Sequence, residues 1–466
     1  MESRAEWNKL NKRMVELYHQ GEYNEATEVI DEILKKAESV FQEEHLDLAL
    51  SLNNVAEVYK SIGDYAKAEL FHQKALAIRQ KMLESADPDI AVSLNNLGVL
   101  YREKGDFEKA LTFHEHALDI RKKVFGDDHT EIANSLNNIA LVEKFKGNGS
   151  KAANLYNKAL EIRKKHLGHD HLDVASTLNN LGVLYNSQGN HRQSQHYHQQ
   201  AMEIVLREYS QDHRITAIIK NNLASSLKSQ GRYAEAENLY KEALAVKQHQ
   251  FGQRSLQVST LYIALSELYK RQGNLNAAEP LLKNALAINE ELLGKNHPEV
   301  GSCIASLAAL FKTQGKHSEA ESLYKKALEI TEENLGKNHP NVAASLNNLA
   351  VLFDSQGKHT EAEPLYKRAL RIIEKVHGAS HPNVASSMFN LAGLYRAQGN
   401  FSEAVTYYKR ALEIREHAFG PEHKSVVVIL RSLARLYSSL GQENEGKKYN
   451  SRARSIRAKL TPTQDI

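Results

Sequence analysis

A chain of 466 residues in which 60 Lys and Arg face 57 Asp and Glu, for a formal net charge of +3, carries no field that would select nucleic acid or an anionic membrane. Its one cysteine, Cys303, excludes an intrachain disulfide and suits a reducing compartment. The opening MESRAEWNKL lacks the apolar core of a leader, and no stretch approaches ~18 consecutive apolar residues, so the expected location is cytoplasmic, with neither nucleic acid nor membrane as partner.

Glycine recurs at 21, 63, 105, 147, 189, 231, 273, 315, 357, 399 and 441, a spacing of 42 residues kept without insertion or deletion. In the third copy Leu94, Leu97, Gly98 and Tyr101 share one side of a predicted helix before Gly105. Ala110, Ala117, Leu118 and Ile120 share one side of a second helix after it. Each copy is therefore a helical hairpin, and eleven such glycines imply an all-α array of about eleven hairpins. Residues 1–46 form an irregular first copy, with Lys12 and Arg13 where later copies carry Asn and an apolar residue, as a capping repeat with one unpartnered face would. Residues 47–423 hold the regular copies. Leu-Asn-Asn begins at Leu52, Leu94, Leu136 and Leu178, gives way to Ile263-Ala264 and Ala305-Ser306, and returns at Leu346. Residues 424–460 read as a C-terminal cap, because Gly446 and Asn450 replace a core Ala and an aromatic, and 461–466 as a short disordered tail.

The small-residue code inside each copy is specific. Leu349, Ala350 and Phe353 precede a glycine, and Ala362, Tyr366 and Ala369 follow it. This pattern resembles the tetratricopeptide repeat over about residues 5 to 459, with the usual 34-residue unit lengthened to 42 at the end of the second helix and the following loop. The lengthened variant is similar to the repeats of kinesin light chains and nephrocystin-type proteins. The resemblance implies a superhelical solenoid whose first helices line a concave wall, and a binding scaffold rather than an enzyme.

At about 100° per residue, the side of the first helix opposite its core carries a ladder of amides flanked by cations. The amides are Asn53, Asn54, Asn95, Asn96, Asn137, Asn138, Asn179, Asn180, Asn221, Asn222, Asn347 and Asn348, and the cations Lys60, Arg102, Lys144, Lys228 and Lys270. Asn is a poor helix former, roughly 0.6 kcal/mol worse than Ala, so its recurrence calls for another role. Its side chain offers both donor and acceptor, which suits the backbone of an extended peptide, and the cations favour an acidic one. The same amides could instead bond between neighbouring first helices. The principal groove is expected between the copies of Gly63 and Gly231, where the ladder is unbroken. In kinesin light chains such a wall receives extended cargo peptides, some with a tryptophan among acidic residues. The matching positions here are Asn95, Asn96, Asn137, Asn138, Asn179, Asn180, Asn221 and Asn222, with Arg102, Lys144 and Lys228. The resemblance also raises a cargo adaptor bound to kinesin heavy chain, although repeats begin within ten residues of Met1, where a light chain carries its heavy-chain-binding heptads. A structural spacer or self-assembling rod is a third reading.

No cofactor, metal or catalytic residue is expected. His45, His129, His171, His213, His297, His339, His381 and His423 share one loop position, but successive hairpins lie at least ~8–10 Å apart, too far for one zinc ion with ~2 Å bonds. Capping of the following helix is the preferred role. Phosphate-binding, nucleophile-elbow and metalloprotease motifs are absent. Cys303 falls where other copies carry Ser51, Ser93 or Ser345, and reads as a packed small residue.

Overall fold

The computed structural model describes residues 2–41, 45–209 and 213–460, so the tail expected at 461–466 lies outside the described residues. The first helices of the hairpins are α1 (Glu2–Gln20), α3 (Leu46–Ser61), α5 (Pro88–Glu103), α7 (Thr130–Phe145), α9 (Leu172–Ser187), α11 (Arg214–Ser229), α13 (Leu256–Arg271), α15 (Pro298–Thr313), α17 (Pro340–Ser355), α19 (Pro382–Ala397) and α21 (Lys424–Ser439). The second helices are α2 (Tyr23–Val40), α4 (Tyr65–Met82), α6 (Phe107–Phe125), α8 (Gly149–Leu167), α10 (His191–Glu208), α12 (Tyr233–Phe251), α14 (Leu275–Leu293), α16 (His317–Leu335), α18 (His359–His377), α20 (Phe401–Phe419) and α22 (Glu443–Leu460). The chain is an all-α tetratricopeptide-type solenoid, with no strand among the described residues. None of these helices is long and apolar enough to cross a membrane.

Local rules set the helix ends. Gly63 sits at φ +80°, a left-handed conformation costly to any residue with a Cβ. Beside it Asp64 N–H donates to Tyr59 O at 2.9 Å, closing α3, while the Asp64 carboxylate accepts Lys67 N–H at 3.0 Å and opens α4. The loop histidines do the corresponding work between hairpins. At all eight positions the imidazole Nδ1 accepts the backbone N–H two residues on, from 3.0 Å at His381 to 3.3 Å at His213. Asp87 and Ser255 occupy the same place in their copies and cap the next helix through oxygen.

Within a hairpin, a small residue on the first helix lets a large one on the second approach it. Ala140 and Tyr156, Ala224 and Tyr240, and Ala350 and Tyr366 are such buried pairs. Histidine stands there in three second helices; opposite His72 the small residue is Ala56, but opposite the other two even alanine is too large. A Cβ on Gly98 would lie 2.7 Å from the His114 ring, and one on Gly182 would lie 2.5 Å from the His198 ring.

Contacts divide the chain into two compact units, one of residues 1–145 and 149–310, the other of 146–148 and 311–466. In the first unit, an arginine ending the second helix reaches into the next hairpin. Arg79 donates to Asp89 O at 2.9 Å and Ser93 Oγ at 2.8 Å, and Arg163 to Asp173 O at 2.8 Å and Thr177 Oγ1 at 2.7 Å. Arg121 bonds Ser135 Oγ at 2.7 Å and pairs with the Glu131 carboxylate at 3.2 Å. Successive first helices also touch, α5 with α7, α9 with α11 and α11 with α13, so they lie on the inside of the curve. The curvature brings the seventh hairpin back to the first: α14 meets α2, and Asn24 Nδ2 lies 3.5 Å from Leu292 O. In the second unit α17 and α19 touch in the same way, and Tyr395 of α19 donates to Glu363 of α18, in the preceding hairpin, at 3.2 Å.

The close approach at Gly182 is testable. Gly182→Ala overpacks a site filled by a buried imidazole and is expected to destabilise the protein by about 1–3 kcal/mol, read as a lower thermal midpoint by circular dichroism. Ala at 182 without effect would mean that the two helices do not cross this closely.

Candidate functional site

The inner wall is built from the paired asparagines and the cation about two turns further along the first helix. In the second and third copies the first asparagine of the pair bonds its own second helix. Asn53 is 4% exposed, accepts from His72 Nδ1 at 2.9 Å and donates toward Ser93 Oγ at 3.4 Å. Asn95 accepts from His114 Nδ1 at 3.1 Å. Asn137 is 8% exposed and folds back onto Ala133 O at 3.0 Å. Asn53 thus bonds its own second helix and the next hairpin, while Asn137 donates within its own helix and its Oδ1 has no partner.

The second asparagine has two fates. Asn138 Nδ2 donates to Asn95 Oδ1 at 2.7 Å and Asn222 Nδ2 to Asn179 Oδ1 at 3.0 Å, each linking one copy to the one before it. Asn221 in turn donates to Asn222 Oδ1 at 3.3 Å. Asn54, Asn96 and Asn180, by contrast, are half-buried on the wall and engage no hydrogen-bond partner among the described residues. The ladder therefore has two kinds of rung: Asn138 and Asn222 join neighbouring copies, and Asn54, Asn96 and Asn180 present an open amide. In the second unit Asn347 is half-buried, with an unpartnered Oδ1, and Asn348 is exposed.

The cations divide similarly. Lys60 pairs with Glu57, Lys270 with Glu267, and Arg102 with Glu103 at 3.2 Å. Lys144 and Lys228 have no ion pair among the described residues. Burial pushes the Lys144 ammonium below the ordinary lysine range, and the nearby Arg102 charge pushes it the same way. Burial does the same at Lys228, where the Glu267 carboxylate partly offsets it. Two neighbouring cations held in a partly dry wall are relieved by an anion, whose own attraction is strengthened there by the lowered dielectric.

Beneath the wall lie residues whose part in it the sequence reading did not anticipate. His72 and His114 hold the first asparagine of their copies from the second helix, at a separation of 19 residues in both cases. The available signal was a histidine at the position where other copies carry Tyr156 or Tyr240, faced in two cases by glycine instead of alanine.

An array of antiparallel helix pairs with an inner row of first helices is a helical-repeat protein of the kind that recognises other proteins along its inner wall. The chain belongs to the tetratricopeptide repeat family: that family's profile matches residues 13–81, 89–165, 167–249, 257–333, 307–375, 355–417 and 394–459. It is thereby a protein-interaction scaffold, on a fold typically without enzymatic activity. No curated protein matches the chain. Among solved structures it is similar to BtubC (BKLC) from P. vanneervenii, with 26% identity, covering 51% of this chain and 96% of that one at a TM-score of 0.42. It is also similar to the nearly identical TPR-like repeats of a kinesin light chain from Podosopora anserina, with 28% identity over 44% of this chain and 98% of that one, TM-score 0.39. The fold of a Rap protein complexed with Competence and Sporulation Factor matches over 89% of this chain and 98% of that one, with 14% identity and a TM-score of 0.52.

Burial holds His114, His198 and His297 down to about 4. Their folded values lie below the ~6.5 of an unfolded histidine, so they contribute stability that is present above pH 6.5 and lost as pH falls toward 4. Linkage sets the loss at about 2 kcal/mol for each histidine by pH 5. The thermal midpoint is therefore expected to fall between pH 7.5 and 5, and to fall less in His198→Phe, which removes one of the three groups. A midpoint that is flat across this interval would show that these imidazoles are not buried neutral.

Proposed function

We propose that the inner wall of the first unit clamps an extended, acidic peptide segment of a partner protein and performs no chemistry on it. The observation that carries this reading is Lys144, half-buried, without an ion pair and held beside Arg102, in the copy between the open amides Asn96 and Asn180. Open amides two copies apart offer a donor and an acceptor to a peptide backbone without selecting its side chains. The unpaired ammonium between them selects for acid. The lack of a large net charge favours a protein partner over a polynucleotide, whose binding would draw on a broad basic surface.

The separation of open from bonded amides makes the test specific. Asn96→Ala combined with Asn180→Ala, and separately Lys144→Met, are expected to weaken a fluorescein-labelled acidic peptide about tenfold in fluorescence anisotropy, the scale of one or two hydrogen bonds to a charged or backbone group. Helical content and thermal midpoint should stay as they were. Asn138→Ala instead removes a bond between copies and is expected to lower the midpoint. Unchanged peptide affinity in both the double variant and Lys144→Met would place the partner elsewhere on the scaffold.

A further inference from the structure

The regularity of the array shows where one copy lacks a part that others have. In the third copy the Arg121 guanidinium pairs with the Glu131 carboxylate at 3.2 Å and bonds Ser135 Oγ at 2.7 Å. Four repeats later, at the same place in the 42-residue period, stand Asn289 and Glu299. The carboxylate has been kept and the guanidinium has not. Asn289 is 3% exposed and its Oδ1 has no hydrogen-bond partner. Glu299 has no ion pair among the described residues.

Space is left where the long side chain would have lain. Asn289 and Glu299 line a cavity of about 480 Å³, in the range of small-ligand sites. The return of the seventh hairpin to the first encloses it, so Tyr23, Tyr65 and Glu103 come from the opposite side. Two carboxylates therefore face one cavity, although Glu103 also pairs with Arg102 at 3.2 Å. Glu299 is solvent-exposed at the edge of the cavity, and partial desolvation there together with the Glu103 charge raises its carboxyl above its ordinary range. The other cation at the cavity, Lys60, is engaged by Glu57.

We propose that this cavity binds an alkylguanidinium, which takes the place of the arginine side chain that the seventh copy lacks. The planar donor fork meets the Glu299 carboxylate, as Arg121 meets Glu131, and the Asn289 carbonyl accepts a remaining N–H. Tyr23, Tyr65 and Leu293 line the cavity and supply apolar and ring surface for the alkyl stem and the cation's face. A bare divalent metal is a poor occupant, because the cavity is far larger than an ion that draws six or more oxygens to ~2.3–2.6 Å. The guanidinium is that of a free small molecule or of an arginine on a partner chain.

Isothermal titration of the full chain with propylguanidinium tests the site, with butylurea as its neutral counterpart. Saturable binding of propylguanidinium and none of butylurea is expected, and Glu299→Gln should weaken it at least tenfold. Asn289→Arg restores the missing side chain: it should abolish binding and raise the thermal midpoint, a result that a generally damaged fold does not give. Parallel titrations with agmatine and with N-acetyl-arginine amide separate the sources, since only the second carries flanking peptide groups. Equal heats for propylguanidinium and butylurea, or propylguanidinium affinity unchanged in Glu299→Gln, would overturn the proposal. Lys144→Met should leave propylguanidinium binding intact, so this site can fail or hold independently of the peptide groove.

Discussion

The array depends on how the end of one second helix is satisfied by the start of the next first helix. A guanidinium that is nearly buried, as at Arg79, Arg121 and Arg163, is tolerable only if most of its donors are met, although Nε of Arg79 and of Arg163 stays unpartnered. The acceptors that meet it are fixed points of the following hairpin: a backbone carbonyl in its first turn and a hydroxyl one turn on. Such a contact has little freedom of angle, so it sets the offset between copies as well as holding them together. Elsewhere the same position is filled differently, by Val205, Lys247, Thr331 or Ile373, and the copies still stack. The guanidinium bond is thus one solution to a constraint that the spacing of 42 imposes on every copy.

That constraint also explains the double role of the asparagine ladder. Adjacent first helices on the inside of a curve come close enough for side chains on one to bond those on the next, and a polar residue half-buried there must find a partner or face a ligand. Asn138 and Asn222 find a partner; Asn54, Asn96 and Asn180 face the groove. One sequence motif therefore yields two kinds of rung. Which kind arises does not follow from the first asparagine of the preceding copy: Asn95 Oδ1 accepts from Asn138 as well as from His114, whereas Asn53 Oδ1 accepts from His72 and Asn137 Oδ1 has no partner.

The hairpins, their period and the turns at glycine were legible because each rests on rules local to one copy: helical periodicity, a left-handed glycine, a cap. The histidine caps were legible for the same reason, since two-residue reach from a loop to a helix start needs no tertiary knowledge. The sorting of the asparagines was not. It turns on which amide of one first helix reaches an amide of the preceding one, as Asn138 reaches Asn95 and Asn222 reaches Asn179, contacts 43 residues apart in sequence that no local rule sets. Division of the chain into two units was equally hidden, because the 42-residue spacing runs through residue 310 without a change.

A repeated sequence is informative in one further way, since every copy serves as a control for the others. Most departures from the repeat are repaired where they occur: glycine appears at 98 and 182 with a histidine filling the space above it. Asn289 is a departure without repair. Its oxygen is unpartnered, the acid that would have answered an arginine remains, and the volume stays open. Two carboxylates, Glu103 and Glu299, facing one cavity repel each other, and a neutral residue at 299 would remove that cost at once. Retention of the acid, together with the space beside it, is the arrangement that a site for an external cation requires.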